Sequence, residues 1–321
     1  MIRTLQLVTS RRPFFEQQVE VLERNGVSCT VLPVPGGSRE RSLADYVRFY
    51  GRVLAAVGSE FDLVHANYGL TAPAALAQPV RPVVLSLWGS DLLGRYGTVS
   101  EQCARFADAV VVMSEEMGSD LDRDCAVVPH GIDTDRFAPE SQEEALEAVG
   151  WDAGAEHVLF PYDTSRAEKN YPRAERVVER ARDAVDGDVE LHAVSGVPHD
   201  EVPTYMNAAD AMVLPSEREG SPNAVKEALA CALPVVATPV GDVPALLDGV
   251  DRSHVGDTDA ELADGLVDAL TSTRPPGGRE RAREFGLDRM AEDLLTVYDS
   301  VLDGESGLVG ERAAGREVTA A

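Results

Sequence analysis

The chain has 321 residues, 44% of them hydrophobic, enough for about two globular domains with real cores. Its formal charge of −26, from 55 acidic against 29 basic residues, argues against non-specific nucleic-acid binding, and leaves at most weak peripheral association with a membrane. No run approaches the ~20 apolar residues of a membrane span, and the four cysteines are scattered as expected of free thiols in a reducing cytoplasm. Only two of the basic residues, Lys169 and Lys226, are lysine. An acidic, lysine-poor surface stays hydrated in concentrated salt, which points to a salt-rich cytoplasm such as that of a halophilic archaeon. A GC-rich genome also trades lysine for arginine, but does not account for the acidic excess.

In chain order, Arg3–Thr9 reads as a first strand, followed by an amphipathic helix over Phe14–Asn25. Apolar runs at Ser28–Pro33, Leu63–Ala66, Val83–Leu87, Ala109–Met113 and Ala126–Val128 continue the series, with a helical pattern at Leu43–Val57 and a turn at Gly36 and Gly37. A second series of strands follows at His157–Pro161, Val189–Val194, Ala211–Leu214, Val235–Thr238 and Ser253–Val255, with helices over Tyr171–Ala184 and Ala260–Leu270. Strands that are nearly all apolar and alternate with helices predict parallel sheets covered on both faces. Asp133–Ala155, rich in Glu, Asp, Ala and Gly, reads as the linker between the two series. The fold class is therefore α/β, with two Rossmann-like domains over 1–136 and 137–286 and a ligand cleft between them. A closing helix over Leu287–Leu302 packs back on the first domain, and residues 303–321 form a fraying tail.

The densest chemistry lies after the strand ending at Leu214, in Ser216-Glu217-Arg218-Glu219-Gly220-Ser221-Pro222-Asn223-Ala224-Val225-Lys226-Glu227. Ser221 fits a helix N-cap and Pro222 the first helical position. Gly220 lets a ligand approach the backbone, and the N–H groups at the helix start suit a diphosphate. Glu227 falls on the same helix face as Asn223, so Glu219 and Glu227 can hold sugar and ribose hydroxyls. Read on spacing alone, a capped surface helix with incidental acids explains the pair at least as well in so acidic a chain.

The whole string resembles the signature of the retaining glycosyltransferases of family four, which have the GT-B fold of two facing Rossmann-like domains. Further segments carry the same resemblance. Pro129-His130-Gly131-Ile132-Asp133 is similar to the family's Pro-Asn-Gly-Ile-Asp, Asp62-Leu63-Val64-His65-Ala66 to its Asp-x-Val-His-x-His, with Asn67 at the second histidine, and Trp88-Gly89-Ser90-Asp91 to its His-Gly-x-Asp. The resemblance covers residues 1–302. It implies a cytoplasmic transferase, at most at the inner membrane face, that takes a nucleotide-diphosphate sugar as donor and a glycan or lipid-linked acceptor, without metal or other cofactor. It implies that Glu219 meets the donor sugar and Glu227 the ribose. Gly220, Ser221 and Asn223 line the donor, and Arg166 and Lys169, in a loop two residues shorter than the family's, clamp the diphosphate. Two cations there would stabilise the leaving charge.

The first domain departs from the family pattern. Its first loop reads Thr9-Ser10-Arg11-Arg12 in place of paired glycines, and Ser10 and Arg12 are candidates for phosphate or acceptor contact. Trp88 replaces a histidine; it can stack on a sugar but cannot exchange a proton. His65, at a strand end, is expected to point at the cleft and with His130 could compensate, and Asp91 belongs to the same candidate acceptor region. The remaining histidines, His157, His192, His199 and His254, carry no visible constellation, and Asp133-Thr134-Asp135 lies outside any metal-binding context. A nucleotide-sugar epimerase of the same fold and a non-catalytic nucleotide-sugar-binding partner are the competing readings.

Overall fold

The computed structural model describes residues 1–36, 41–58 and 60–304, so Gly37 and the tail beyond 304 lie outside the described residues. The chain forms two compact units, one of residues 1–131 with the segment from Leu287 onward, the other Ile132–Gly286.

The first unit runs β1 (Ile2–Val8), α1 (Pro13–Arg24), β2 (Val27–Pro33), α2 (Leu43–Ala56), β3 (Leu63–Asn67), α3 (Ala72–Ala77), β4 (Val83–Ser86), α4 (Gly97–Ala104), β5 (Ala109–Val112), α5 (Glu115–Ser119) and β6 (Ala126–Val127). Its six parallel strands stand in the order β2-β1-β3-β4-β5-β6. The second unit runs α6 (Gln142–Val149), β7 (Ala155–Phe160), α7 (Tyr171–Arg182), β8 (Asp188–Ala193), α8 (Val202–Ala208), β9 (Ala211–Leu214), α9 (Asn223–Ala230), β10 (Val235–Ala237), α10 (Val243–Leu247), β11 (His254–Val255), α11 (Asp259–Thr271) and α12 (Gly278–Arg283). Its five strands are also parallel, in the order β11-β10-β9-β7-β8. α13 (Leu287–Leu302) then belongs to the first unit.

Local chemistry sets these elements. α1 opens on Pro13, whose missing N–H has no partner to lose at a helix start. Reciprocal capping boxes start α2 (Ser42 with Asp45) and α11 (Thr258 with Glu261). The second sheet shows the period of two: Met212, Leu214, Val235 and Ala237 pack toward α9 and α10, while Ala211, Val213 and Val236 pack toward α7 and α11. Every residue of β9 is fully buried, which is why no polar alternation appears in its sequence. Burying Leu214 alone contributes roughly 1.5–3 kcal/mol.

All eleven expected strands are present, each shifted by two residues or fewer at its ends. The linker is not where composition places it. The chain passes between units at Gly131–Ile132, and Asp133–Ala155 is an integral part of the second unit rather than a connector. Within it α6 is capped by Ser141, ends on left-handed Gly150 and packs on α8. Both chain crossings are adjacent, since Ile132 donates its N–H to the Phe285 carbonyl at 2.9 Å and bridges Gly286. Among the described residues, no helix is long and apolar enough to cross a membrane.

Candidate active site

In the second sheet the strand order reverses between β7 and β9: the chain runs outward from β7 to β8 and returns to add β9 on the other side. Ligands of such sheets bind beyond the carboxyl ends of the strands at this switch point. Lys169 follows β7 and Glu219 follows β9, and there the Lys169 ammonium donates to Glu219 Oε1. Both are nearly enclosed, with side chains 4% and 10% exposed. The Ser216 hydroxyl donates to the same carboxylate oxygen at 2.8 Å. The Tyr162 ring carries Lys169 Nζ 3.9 Å from its centroid and the Arg166 guanidinium at 5.2 Å, so one ring gathers both cations. Arg166 is half-exposed and paired with Glu168 at 2.8 Å. Burial lowers the Lys169 pKa, with Glu219 opposing. The charge is thus held by one carboxylate in a poorly solvated place.

The loops are tied to one another. The Glu217 N–H donates to Glu168 O at 2.9 Å and Thr238 Oγ1 to Ser216 O at 2.6 Å, joining the loops after β7, β9 and β10. Gly241 has φ +57°, and a Cβ there would come 2.4 Å from Gly220 O and 2.8 Å from Glu219 O. Glycine is therefore required at 241 for the backbone carrying Glu219 to sit where it does.

α9 begins one residue later than its sequence suggests. Pro222, not Ser221, is the N-cap, because its φ of −73° and ψ of 113° are extended. Ser221 instead faces Asp242, whose carboxyl burial pushes up to about 6 against the opposing Ser221 hydroxyl and Lys226. Lys226 is wholly buried, and burial brings its pKa down to about 8. It is a supporting cation inside the unit, not a surface contact. Asn223 opens α9 at half-burial, and Glu227 is buried on the same helix. Glu227 Oε1 lies 3.0 Å from His199 Nε2. His199 comes from the segment after β8, and its ring lies 5.4 Å from Phe137. Sequence reasoning missed His199, Tyr162 and Ser216; only Ser216 had a signal, its place at the strand end.

In the first unit the order reverses between β1 and β3. Trp88, after β4, is the centre of an aromatic group with Phe14 at 4.9 Å, His130 at 5.3 Å and Tyr68 at 5.8 Å, and its indole N–H has no hydrogen-bond partner among the described residues. Tyr68 adopts φ +94°, a strained backbone for a non-glycine residue. Ser10 is half-buried and Arg12 exposed at the start of α1.

Two expectations fail here. His65 does not point outward: it is fully buried within β3, with Nδ1 2.7 Å from Tyr298 Oη and Nε2 2.7 Å from Ser86 Oγ. Burial depresses its pKa to about 3, so it is a neutral tie between the sheet and α13. Asp91 is also fully buried, accepting the N–H groups of Gly69 at 2.7 Å and Trp88 at 2.8 Å. Burial raises its carboxyl to about 6. It shapes the loops around Trp88 rather than meeting an acceptor. Asn67 is likewise enclosed, bonded to Gln6 and Gln18 at 2.8 and 2.9 Å.

Comparison with known proteins matches residues 4–136 to the glycosyltransferase family 4 model and 168–272 to that of the glycosyl transferases group 1. A Bacillus subtilis protein named as a teichuronic acid biosynthesis glycosyltransferase, TuaC, is 30% identical over 272 residues, covering 75% of this chain and 67% of its own. The chain belongs to the group 1, family 4 glycosyltransferases. Among solved structures, this glycosyltransferase is similar to a sucrose-phosphate synthase from Thermosynechococcus elongatus, with TM-score 0.77 and 15% identity over 95% of this chain and all of that one. Anabaena Alr3699/HepE, solved with UDP and glucose, gives TM-score 0.73 and 16% identity over 94% of this chain and all of that one. The two parallel-sheet domains are those of the GT-B fold.

Proposed function

We propose that this glycosyltransferase moves a sugar, with retention at the anomeric carbon, from a nucleotide-diphosphate sugar to a glycan or lipid-linked acceptor. The buried Lys169–Glu219 pair at the switch point of the second sheet carries the reading. A buried lysine with one carboxylate partner is poised for a stronger anion. An arriving diphosphate takes over Lys169, with Arg166 beside it on Tyr162, and the negative charge that grows on the leaving group is stabilised where little water screens it. Glu219 is then released to accept sugar hydroxyls. Glu227, oriented by His199, takes the ribose hydroxyls, and the start of α9 with Gly220, Ser221 and Asn223 lines the phosphates. Support for a nucleotide sugar comes also from Alr3699/HepE, whose structures hold UDP, UDP with glucose, and UDP-glucose.

We assign the acceptor to the first unit, where Trp88 with His130 beside it offers a sugar-stacking face and where Ser10 and Arg12, in the loop before α1, are further candidates for acceptor contact. The reaction needs no metal, because Lys169 and Arg166 take the role a divalent cation would play. The acid-rich chain works in a salt-rich cytoplasm.

The test is incubation with UDP-, GDP- and dTDP-sugars and acceptor extracts, read by mass spectrometry, for wild type, Glu219→Gln and Lys169→Ala. Glycosylated product with free nucleotide, lowered at least a hundredfold in both variants, supports transfer. An isomerised nucleotide sugar, or binding without conversion in the presence of acceptor, refutes it, as does unchanged turnover in both variants.

A further inference from the structure

His157, His192 and Glu190 converge at the β7–β8 pair, on residues that the transfer site does not use. β8 is the edge strand of its sheet, and His157 stands opposite Glu190 in the parallel register. His192 lies two residues beyond Glu190 on the same face. His157 Nδ1 is 2.9 Å from His192 Nε2 and 3.9 Å from Glu190 Oε2, and His192 Nε2 is 3.4 Å from the same oxygen. We propose that these three side chains form a binding site for a single divalent d-block cation, zinc foremost.

The spacing fits. Ligand atoms about 2.05 Å from a tetrahedral zinc lie about 3.3 Å from one another, and the three distances of 2.9, 3.4 and 3.9 Å bracket that value. The tautomer fits as well. His157 Nε2 lies 2.9 Å from the Asp152 carbonyl, which can only accept, so that nitrogen carries the proton and Nδ1 presents its lone pair to the cluster. A histidine that donates its far N–H to a backbone carbonyl while its near nitrogen meets the ion is the usual outer support of a metal ligand. The Trp151 ring stacks on His192 at 3.7 Å and 10°, fixing the plane of the second imidazole. Two imidazoles and a carboxylate suit zinc, with water as the fourth ligand. His157 is fully buried and Glu190 half-exposed, so the ion enters from the solvent side of the edge strand. There it cross-links β8 to β7, a structural role separate from sugar transfer.

The experiment uses the full chain, stripped with EDTA, dialysed metal-free in salt-containing buffer and titrated with Co2+ and then Zn2+. One equivalent of Co2+ should give the visible bands of a four-coordinate nitrogen–oxygen site and quench Trp151 fluorescence, and one equivalent of Zn2+ should reverse both. His192→Ala should abolish the bands, and the more exposed Glu190→Gln should weaken Co2+ binding more than tenfold, both with wild-type circular dichroism and turnover. Zinc should raise the Tm of the wild type and not of His192→Ala, since an ion that binds only the folded state stabilises it. Wild type without such bands, or bands that persist in His192→Ala, would show a plain hydrogen-bonded histidine pair or scattered carboxylate binding and overturn the proposal.

Discussion

Substituting Gly241 with alanine tests whether the position of the Glu219 backbone sets activity, because Gly241 touches no substrate in the proposed site. Two costs arise. At φ +57° a left-handed L-residue loses roughly 1–2 kcal/mol. The new Cβ would also stand 2.4 Å from Gly220 O, and ordinary contact begins near 3.4 Å, so the 219–220 backbone must withdraw by about 1 Å. That is enough, at an active site, for about a hundredfold loss in kcat/KM, or near 3 kcal/mol of transition-state stabilisation. Gly249→Ala supplies the control: its φ is +69°, and nothing lies within 4 Å of the added carbon. Nucleotide release from the donor measures activity, and thermal unfolding measures stability. Gly249→Ala should lose about 1–2 kcal/mol of stability and Gly241→Ala at least as much, and only Gly241→Ala should lose turnover. Equal activity in the two variants would refute the coupling of Gly241 to Glu219.

Other outcomes follow from the same geometry. His199→Ala frees Glu227 from its 3.0 Å partner and should raise the donor KM about tenfold while changing kcat little, in steady-state kinetics. His65 has a folded pKa of about 3 against an ordinary 6.5, so the unfolded chain binds the extra proton between those values. Its contribution is complete above pH 6.5 and lost as pH falls toward 3, and His65→Gln should flatten that part of the stability-against-pH curve measured by denaturant unfolding. EDTA should leave initial turnover unchanged if, as proposed, Lys169 and Arg166 serve the diphosphate; a loss restored by added Mg2+ would contradict this.

Most strands were legible as apolar runs, the inner ones such as β9 being buried on both faces, and the loop carrying Glu219 was legible because a strand end, a glycine and a proline mark the turn into α9. What stayed hidden depends on partners far away in sequence. The enclosure of His65 is set by Tyr298, 233 residues later, and the orientation of Glu227 by His199, 28 residues earlier. Asp91 looked like a site residue because it closes the Trp88-Gly89-Ser90-Asp91 motif, yet the N–H groups of Gly69 and Trp88 hold its carboxylate indoors. α6 was hidden differently. Its Glu143, Glu144 and Glu147 made a surface helix resemble a linker, although Ser141 before it and Gly150 after it are ordinary cap signals.

The placement of α13 has a consequence for how the protein is made. The second unit is one uninterrupted segment whose ends meet at Ile132 and Gly286, so all its residues are available once that segment has left the ribosome. The first unit, although synthesised first, lacks Tyr298 until α13 emerges, and until then His65 Nδ1 and the Gln6 amide are without its hydroxyl. The order of synthesis and the order of completion are thus opposite. A chain that stops short of α13 is left with a finished second unit and an unfinished first one.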